Sequence, residues 1–577
     1  MLRGGKRAGQ NLILLLQFQL KTDTIAYRPL SFHVLHFTSL SSLNTKKINS
    51  YKIALAVSSG VLLTLSFPKA GIFWLAWFAL VPLLIALGNL SLKNSFILGF
   101  YAGLIHYLTL IYWLAHTMKT YGHLPLYQCL PVLVLLSAYL ALYPAVFSML
   151  ANRLCPTPLS GLITIPCLWV FLEYLRAVLF TGFPWELLGY TQFKVLPLIQ
   201  IADILGVYGV SFCIVLGNVT VFLVILCLTG KNWLAKKVAR RLAGESIAAF
   251  VIIFGLVWFY GIRQIQSTDQ IASNAPLAKI AVVQGNIDQA VKWDPAFQYD
   301  STIKYISLSL EAKKQKPDLV VWPETATPFY FLSNTTMSQM VKKGIHDIGA
   351  DFLIGSPSFR SGQNGVEYYN SAYLVGAKGT VLGQYDKAHL VPFGEYIPFK
   401  KWLPFLSKMV AGVGDFHPGE KGLTIPWGNH RLGVQICYEI IFPQLSRAMT
   451  QNHAALLVNI TNDAWYGRTS APYQHFSMAV FRAVENRRSL VRSANTGISG
   501  FIDPAGRIIA STPIFEDALL THTVPLLQTA TYYSQVGDLF ATCCLAVTLL
   551  SAIYAFLRNL IAIRPSEKLV DTNRLYC

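Results

Sequence analysis

Charge is what this sequence has least of. Asp, Glu, Lys and Arg make up 13% of its 577 residues, hydrophobic residues make up 53%, and the mean hydropathy is +0.45. A soluble domain carries about 25% charged residues, so a wholly water-borne globule is excluded. Acids are the scarcer sign: 28 Asp and Glu against 47 Lys and Arg leave a formal net charge of +19. No helix-turn-helix, zinc finger or other nucleic-acid motif accompanies that excess, so no nucleic-acid partner is expected. His and Cys never cluster at zinc-ligand spacing, and His453 and His475 are scattered, so neither a metal nor a cofactor is expected. A cleavable leader is not expected either. The run Leu12–Leu16 is too short to cross a bilayer and no small-residue cleavage site follows it at the usual distance. Aromatic residues are plentiful, with 34 Phe, 28 Tyr and 12 Trp, which excludes disorder.

Long apolar runs dominate what is present. Residues 51–262 hold seven of them: Ile53–Phe67, Gly71–Leu90, Ser95–Ala115, Leu126–Leu150, Leu159–Phe180, Val207–Leu228 and Ile247–Ile262. An eighth, Val536–Leu557, lies near the C-terminus. A span needs roughly 20 apolar residues, so about eight spans are expected. The chain then divides into a basic tail at 1–50, a membrane domain at 51–262, a polar domain at 263–535, a last span at 536–557 and a tail at 558–577. Lys93, Arg153, Lys231, Lys236, Lys237, Arg240, Arg241, Arg558, Arg564, Lys568 and Arg574 fall on one side of these spans, with the basic tail. The other side, before the polar domain, holds little beyond Lys69, Lys119 and Lys194. The basic side is cytoplasmic by the positive-inside rule. Both termini are therefore expected inside and residues 263–535 outside. Within the spans Glu173 and Arg176 stand three apart and are expected to pair on one helical face. Trp74, Trp77, Trp113 and Trp185 read as interfacial belts.

Residues 263–535 alternate short β-rich runs with helical stretches such as Phe297–Lys314 and Tyr473–Arg488, the pattern of an α/β domain. Of nine cysteines only Cys437 lies in it. No internal disulfide can therefore account for that thiol in an oxidising compartment. A lone buried thiol is commonly structural. Here, however, the strand Leu432–Ile436 runs directly into Cys437-Tyr438-Glu439 and a helical stretch, Ile440–Met449, comes next. A helix N-terminus would favour thiolate, and the Tyr438 amide would be placed to meet an oxyanion. Trp322-Pro323-Glu324 ends another hydrophobic strand with a carboxylate, and the segment from Tyr385 to Glu395 carries Lys387, His389 and Glu395 among apolar residues. Each alone is more commonly a solvated or structural side chain. Three such groups at strand ends of one domain point to nucleophilic catalysis.

On these motifs the chain resembles the nitrilase superfamily, whose members use a Glu-Lys-Cys triad on an αββα sandwich. It is most similar to the membrane-embedded branch, the apolipoprotein N-acyltransferases of bacterial inner membranes. The resemblance covers residues 51–560 and rests on Val283-Gln284-Gly285-Asn286-Ile287, Trp322-Pro323-Glu324-Thr325, Tyr385–Pro398, Cys437-Tyr438-Glu439, Asn462-Asp463-Ala464-Trp465-Tyr466 and Gly182-Phe183-Pro184-Trp185. It implies a multi-pass helical domain joined to a nitrilase-like α/β domain on the periplasmic side. It also implies Glu324 as general base, Lys387 as cationic stabiliser, Cys437 as nucleophile and Glu395 as the buttress of the lysine. Trp293, Asn370, Tyr438 and Glu439 match supporting or substrate-positioning residues. The implied reaction moves an acyl chain from a membrane phospholipid, through a cysteine thioester, to the α-amino group of a diacylglyceryl-cysteine apolipoprotein. The competing readings are a membrane-tethered amidase hydrolysing a C–N bond and, less well supported, a transporter or scaffold with a ligand-binding domain.

Overall fold

The structure, a computed structural model, describes residues 48–155, 157–233, 236–362, 365–398 and 415–563. The expected tails at 1–50 and 558–577 lie outside the described residues but for their innermost turns. All eight apolar stretches carry helix, yet they are not eight equal spans. Leu126–Leu154, Pro158–Val178, Ala202–Thr229, Arg240–Ser273 and Leu539–Arg558 are each long and apolar enough to cross a membrane. Leu92–Leu110 and Trp113–Thr120 form a pair bent by 48°, and Ser50–Ser66 and Phe73–Ala86 are shorter. Capping sets several ends. The Asn49 and Ser91 side chains accept from the amides of Lys52 and Asn94, and Gly230 closes Ala202–Thr229 at φ +64°.

The stretch Gly71–Leu90, expected as one span, is instead a 3-10 turn at Phe73–Trp77 and a short helix at Val81–Ala86. Polar side chains make the break possible. Asn218 accepts from the Leu80 amide at 2.9 Å and donates to the Ala76 carbonyl at 2.8 Å, while Gln192 donates to the Phe73 carbonyl at 3.0 Å. Irregular backbone inside a helical bundle survives only where such partners replace the lost ladder. Glu173 and Arg176 also depart from expectation. Rather than closing an ion pair on each other, both serve the next loop. The Leu188 amide donates to Glu173 at 2.7 Å, and Arg176 donates to the Trp185 carbonyl at 2.9 Å. Of the four tryptophans read as belts, Trp74 is 55% exposed, whereas Trp113 and Trp185 are buried at 4% and 0% and pack against each other at a tilt, ring centres 4.8 Å apart. Hydropathy marks a tryptophan as able to sit at an interface. It does not show whether another chain segment covers it.

The described residues between 277 and 525 form two six-stranded sheets. The strands are β1 Leu277–Gln284, β2 Leu319–Val321, β3 Asp351–Gly362, β4 Gly365–Val375, β5 Val381–Asp386, β6 Ile425–Trp427, β7 His430–Ile436, β8 Leu456–Thr461, β9 Ser489–Ala494, β10 Gly500–Ile502, β11 Ile508–Ser511 and β12 Ala518–Pro525. One sheet runs β12-β1-β2-β3-β4-β5 and the other β11-β10-β9-β8-β7-β6. In each, three adjacent strands are parallel: β1, β2 and β3 in one, β7, β8 and β9 in the other. The sheets meet where the Ser493 hydroxyl of β9 donates to the carbonyls of Val283 in β1 and Val321 in β2, both at 3.1 Å. Helices Pro295–Ala312 and Thr335–Ile348 cover the first sheet, with Tyr305, Trp322, Val341 and Phe352 between them. Pro443–Gln451 and Ala471–Asn486 cover the second, completing an αββα sandwich. Ala471–Asn486 is buried around nearly its whole circumference. One continuous apolar cluster passes from Leu84 and Trp185 in the membrane part, through Val480 and Phe481 of this helix, to Val434 and Val458 of the second sheet.

Candidate active site

Three strand ends converge. β2 leads through Trp322-Pro323 to Glu324, β5 leads to Lys387, and β7 leads to Cys437. Parallel strands commonly display reactive side chains at this end. Cys437 adopts φ +54°, a left-handed conformation costly for a residue with a side chain. The chain therefore turns sharply out of β7 into the 3-10 turn Cys437–Ile441, with Pro443–Gln451 after it.

Lys387 sits between two carboxylates, with Nζ 2.9 Å from Glu395 Oε1 and 3.8 Å from Glu324 Oε1. Asn370 of β4 bridges the same pair, its Nδ2 donating to Glu324 Oε1 at 2.8 Å and to Glu395 Oε1 at 2.9 Å. The Asn462 amide donates to Glu324 Oε2 at 2.9 Å. Both Glu324 oxygens are thus aimed, and all these groups are buried. Burial alone would lower the lysine, but Glu395 and Glu324 hold the Lys387 ammonium above its ordinary value. The Cys437 thiol is pushed up by burial and by the Glu324 carboxylate, against the pull of Lys387 and the Thr461 hydroxyl. This corrects the sequence expectation of a thiolate at a helix N-terminus. A single 3-10 turn succeeds the cysteine, and desolvation outweighs it. The resting group is a thiol, which needs a base.

Glu439 lies behind the lysine as a clamp. It accepts from the amides of Ile436, Ala388 and His389 and from the Tyr385 hydroxyl at 2.7–3.0 Å. The ring of Tyr438 packs edge-on to Phe442 at 5.1 Å. Trp293 stands away from the polar centre. It is 48% exposed and lines an apolar groove of about 710 Å³ with Phe329, Tyr330, Tyr368 and Phe416. Pro357 of that groove lies opposite Asn370 in the β3–β4 register, so groove and centre adjoin.

Sequence reasoning passed over several groups. Lys292, next to Trp293, is 1% exposed and donates to the Glu324 carbonyl at 3.0 Å. His475 donates from Nε2 to the Cys437 carbonyl at 3.2 Å and receives Arg492 on Nδ1 at 2.9 Å, and Arg492 also pairs with Asp463 at 2.8 Å. His475 in turn stacks on Trp185 of the membrane part at 5.7 Å. The motifs around Trp293 and Asn462 were the available signals, but nothing local showed which neighbours turn inward. Among the described residues no three His, Cys, Asp or Glu side chains are grouped to hold a metal ion.

Comparison with known proteins agrees with this architecture. Residues 59–220 match the family described as apolipoprotein N-acyltransferase N-terminal domain, and residues 279–533 match the carbon-nitrogen hydrolase family. An apolipoprotein N-acyltransferase of Geobacter metallireducens is 47% identical over 506 residues, covering 88% of this chain and 95% of the relative. One of Methylococcus capsulatus is 33% identical over 489 residues, covering 84% and 92%. Among solved structures, an amidase from Nesterenkonia sp. aligns at 22% identity with a TM-score of 0.34, over 45% of this chain and 92% of that one.

Proposed function

The chain belongs to the apolipoprotein N-acyltransferase family, and from that premise we propose how its buried centre carries an acyl chain between two lipid-borne substrates. It is a membrane protein and an acyltransferase of lipoprotein maturation. In our reading Glu324 takes the Cys437 proton as sulfur attacks the ester carbonyl of a membrane phospholipid. Lys387 and the Tyr438 amide meet the oxyanion. The ester C–O bond breaks, Glu324 returns the proton to the departing lysophospholipid oxygen, and the acyl chain stays on Cys437 as a thioester. The α-amino group of a diacylglyceryl-cysteine apolipoprotein then attacks. Its proton passes through Glu324 to the released thiolate, and an amide leaves. Glu395 and Asn370 hold Lys387 and Glu324 in register, and the groove beside Trp293 suits an acyl chain.

The observation that carries this reading is the Lys387 ammonium held between Glu324 and Glu395, with a protonated thiol in electrostatic reach. The apolar groove supports a lipid substrate over a small amide. The excess of Lys and Arg on one side of the spans supports a cytoplasmic location for both termini and a periplasmic one for the sandwich, across a bacterial inner membrane.

The test is incubation of purified protein with phospholipid bearing a tagged acyl chain. A hydroxylamine-labile label on the wild type is expected. It should be absent in Cys437→Ala and slowed about 10²–10⁴-fold in Glu324→Gln and Lys387→Met. Release of free fatty acid without a labelled protein would favour hydrolysis and reject the two-step transfer.

A further inference from the structure

Carboxylates outnumber cations around Cys437, and Lys292 narrows the difference. From the end of β2 comes Glu324, and from the 387–395 segment come Lys387 and Glu395, so two carboxylates face one ammonium. From β8 and β9 come Asp463 and Arg492, which close on each other at 2.8 Å beside His475. Glu439, on the far side of Lys387, is occupied by three amides and a phenol. Carboxylates thus outnumber cations at the place where a thiolate and then an oxyanion must form. Lys292 adds a positive charge there. It is 1% exposed, its Nζ donates to the main-chain oxygen of Glu324 at 3.0 Å, and its ammonium is in electrostatic reach of both Glu324 and Cys437. It is held there by a tied-down segment. The Ile287 amide donates to Asn495 at 2.9 Å, the neighbouring Gln289 accepts from Asn462, and the Lys292 amide donates to the Asp288 carbonyl at 3.1 Å.

We propose that Lys292 is a positioning residue of thioester formation: its ammonium fixes the main chain of the base Glu324 and supplies the positive charge that lets the Cys437 proton leave. This rests on the reading above in assigning Glu324 as base and Cys437 as nucleophile. The proton moves from Cys437 Sγ to a Glu324 carboxylate oxygen while Lys292 stays charged throughout. The transfer thus takes place in a centre carrying one unit less of negative charge than it would without Lys292. Burial lowers the Lys292 pKa to about 8, so its charge is present below that pH and is lost as pH rises through it.

Two measurements on the full-length protein in detergent test this. The first needs no lipid substrate: the rate of iodoacetamide alkylation at Cys437 at pH 7, where Lys292 is charged, quantified on the peptide containing Cys437. Lys292→Met should slow that rate at least about tenfold, and Lys292→Arg should leave it near the wild-type value. A Met variant that reacts like wild type, or an Arg variant slowed as far as Met, overturns the proposal. If Lys292→Met fails to melt cooperatively, Lys292→Gln, which can still donate to the Glu324 carbonyl without charge, takes its place with the same expectation. The second is the rate of thioester formation against pH. The wild-type rate should fall as pH rises through about 8, and that fall should vanish in Lys292→Arg. Its persistence there overturns the proposal. The expected difference in alkylation rate without any phospholipid-derived label would reject the acyl-transfer reading and leave the role of Lys292 standing.

Discussion

Glu439 accepts from Ile436 on one side and from Ala388, His389 and Tyr385 on the other, tying the turn that carries Cys437 to the loop that carries Lys387. An ionised carboxylate can only accept, and every neighbour it meets here donates. Glu439→Gln would set an amide N–H against those donors, and each charge-assisted bond lost is worth about 1.5–3 kcal/mol. Lys387 would then shift relative to the thiol by a fraction of a bond length. We expect Glu439→Gln to slow thioester formation about 100-fold while the protein still binds phospholipid, read by single-turnover labelling beside equilibrium binding. Tyr385→Phe, which removes one donor of the set, should lose far less. A Glu439→Gln variant with wild-type labelling would show that the clamp does not position the site.

Among elements, helix Ala471–Asn486 and the loop carrying Gly182-Phe183-Pro184-Trp185 form one mechanical unit. Trp185 donates to Gln474 at 2.9 Å and stacks on His475, whose imidazole holds the Cys437 carbonyl. Gln474 donates onward to the carbonyls of Pro68 and Leu110 at 3.2 Å. The bent helix Trp113–Thr120 grips the next turn, with Thr117 donating to the Trp465 carbonyl at 2.8 Å and Tyr121 to that of Ala464 at 2.9 Å. Gly182 is required at its position. Its φ is +75°, and an added Cβ would lie 2.2 Å from the Ala177 carbonyl oxygen. Trp185→Ala should cost about 3–5 kcal/mol, as for other buried aromatics cut to alanine, seen as a lower melting temperature. It should also slow thioester formation by releasing His475. Trp185→Phe, which keeps the stacking face and loses the Gln474 bond, should retain most of both. Equal effects of the two variants would contradict the stacking role.

For the molecule as a whole, membrane helices and sandwich share one apolar core, so the catalytic domain is held to the bilayer side by packing as well as by its two connections. Ion pairs reinforce that attachment. Arg487 meets Asp203 of helix Ala202–Thr229 at 2.6 Å with both side chains buried, and the partly exposed Arg507 meets Asp269 of Arg240–Ser273 at 2.6 Å. Two lipid-anchored substrates are best served by a centre fixed at the membrane surface, where water is scarce. The orientation we propose has a direct readout. In spheroplasts an impermeant maleimide should label a cysteine placed at the exposed position Lys314, and should label one placed at Arg241 only after permeabilisation. The reverse pattern would put the sandwich in the cytoplasm.

Much of this was legible along the chain, because apolar runs and short β-rich segments are local properties that a sequence carries openly. The strand ends at Glu324, Lys387 and Cys437 stood out from their neighbours, whereas Asn370, Glu395 and Glu439 were named as site residues through the family resemblance. Local patterns do not say which distant segment covers a side chain, and burial controls charge. Hence Glu173 and Arg176 turn to the Leu188 amide and the Trp185 carbonyl instead of each other. Hence also Trp185 lies inside, the Cys437 thiol keeps its proton, and Lys292 becomes part of the centre while its neighbour Trp293 faces the groove. The order of residues determined the long apolar helices, the α/β sandwich and which residue types stand at its strand ends. Tertiary structure alone decided their partners and protonation, since those depend on desolvation and on contacts between residues far apart in the chain.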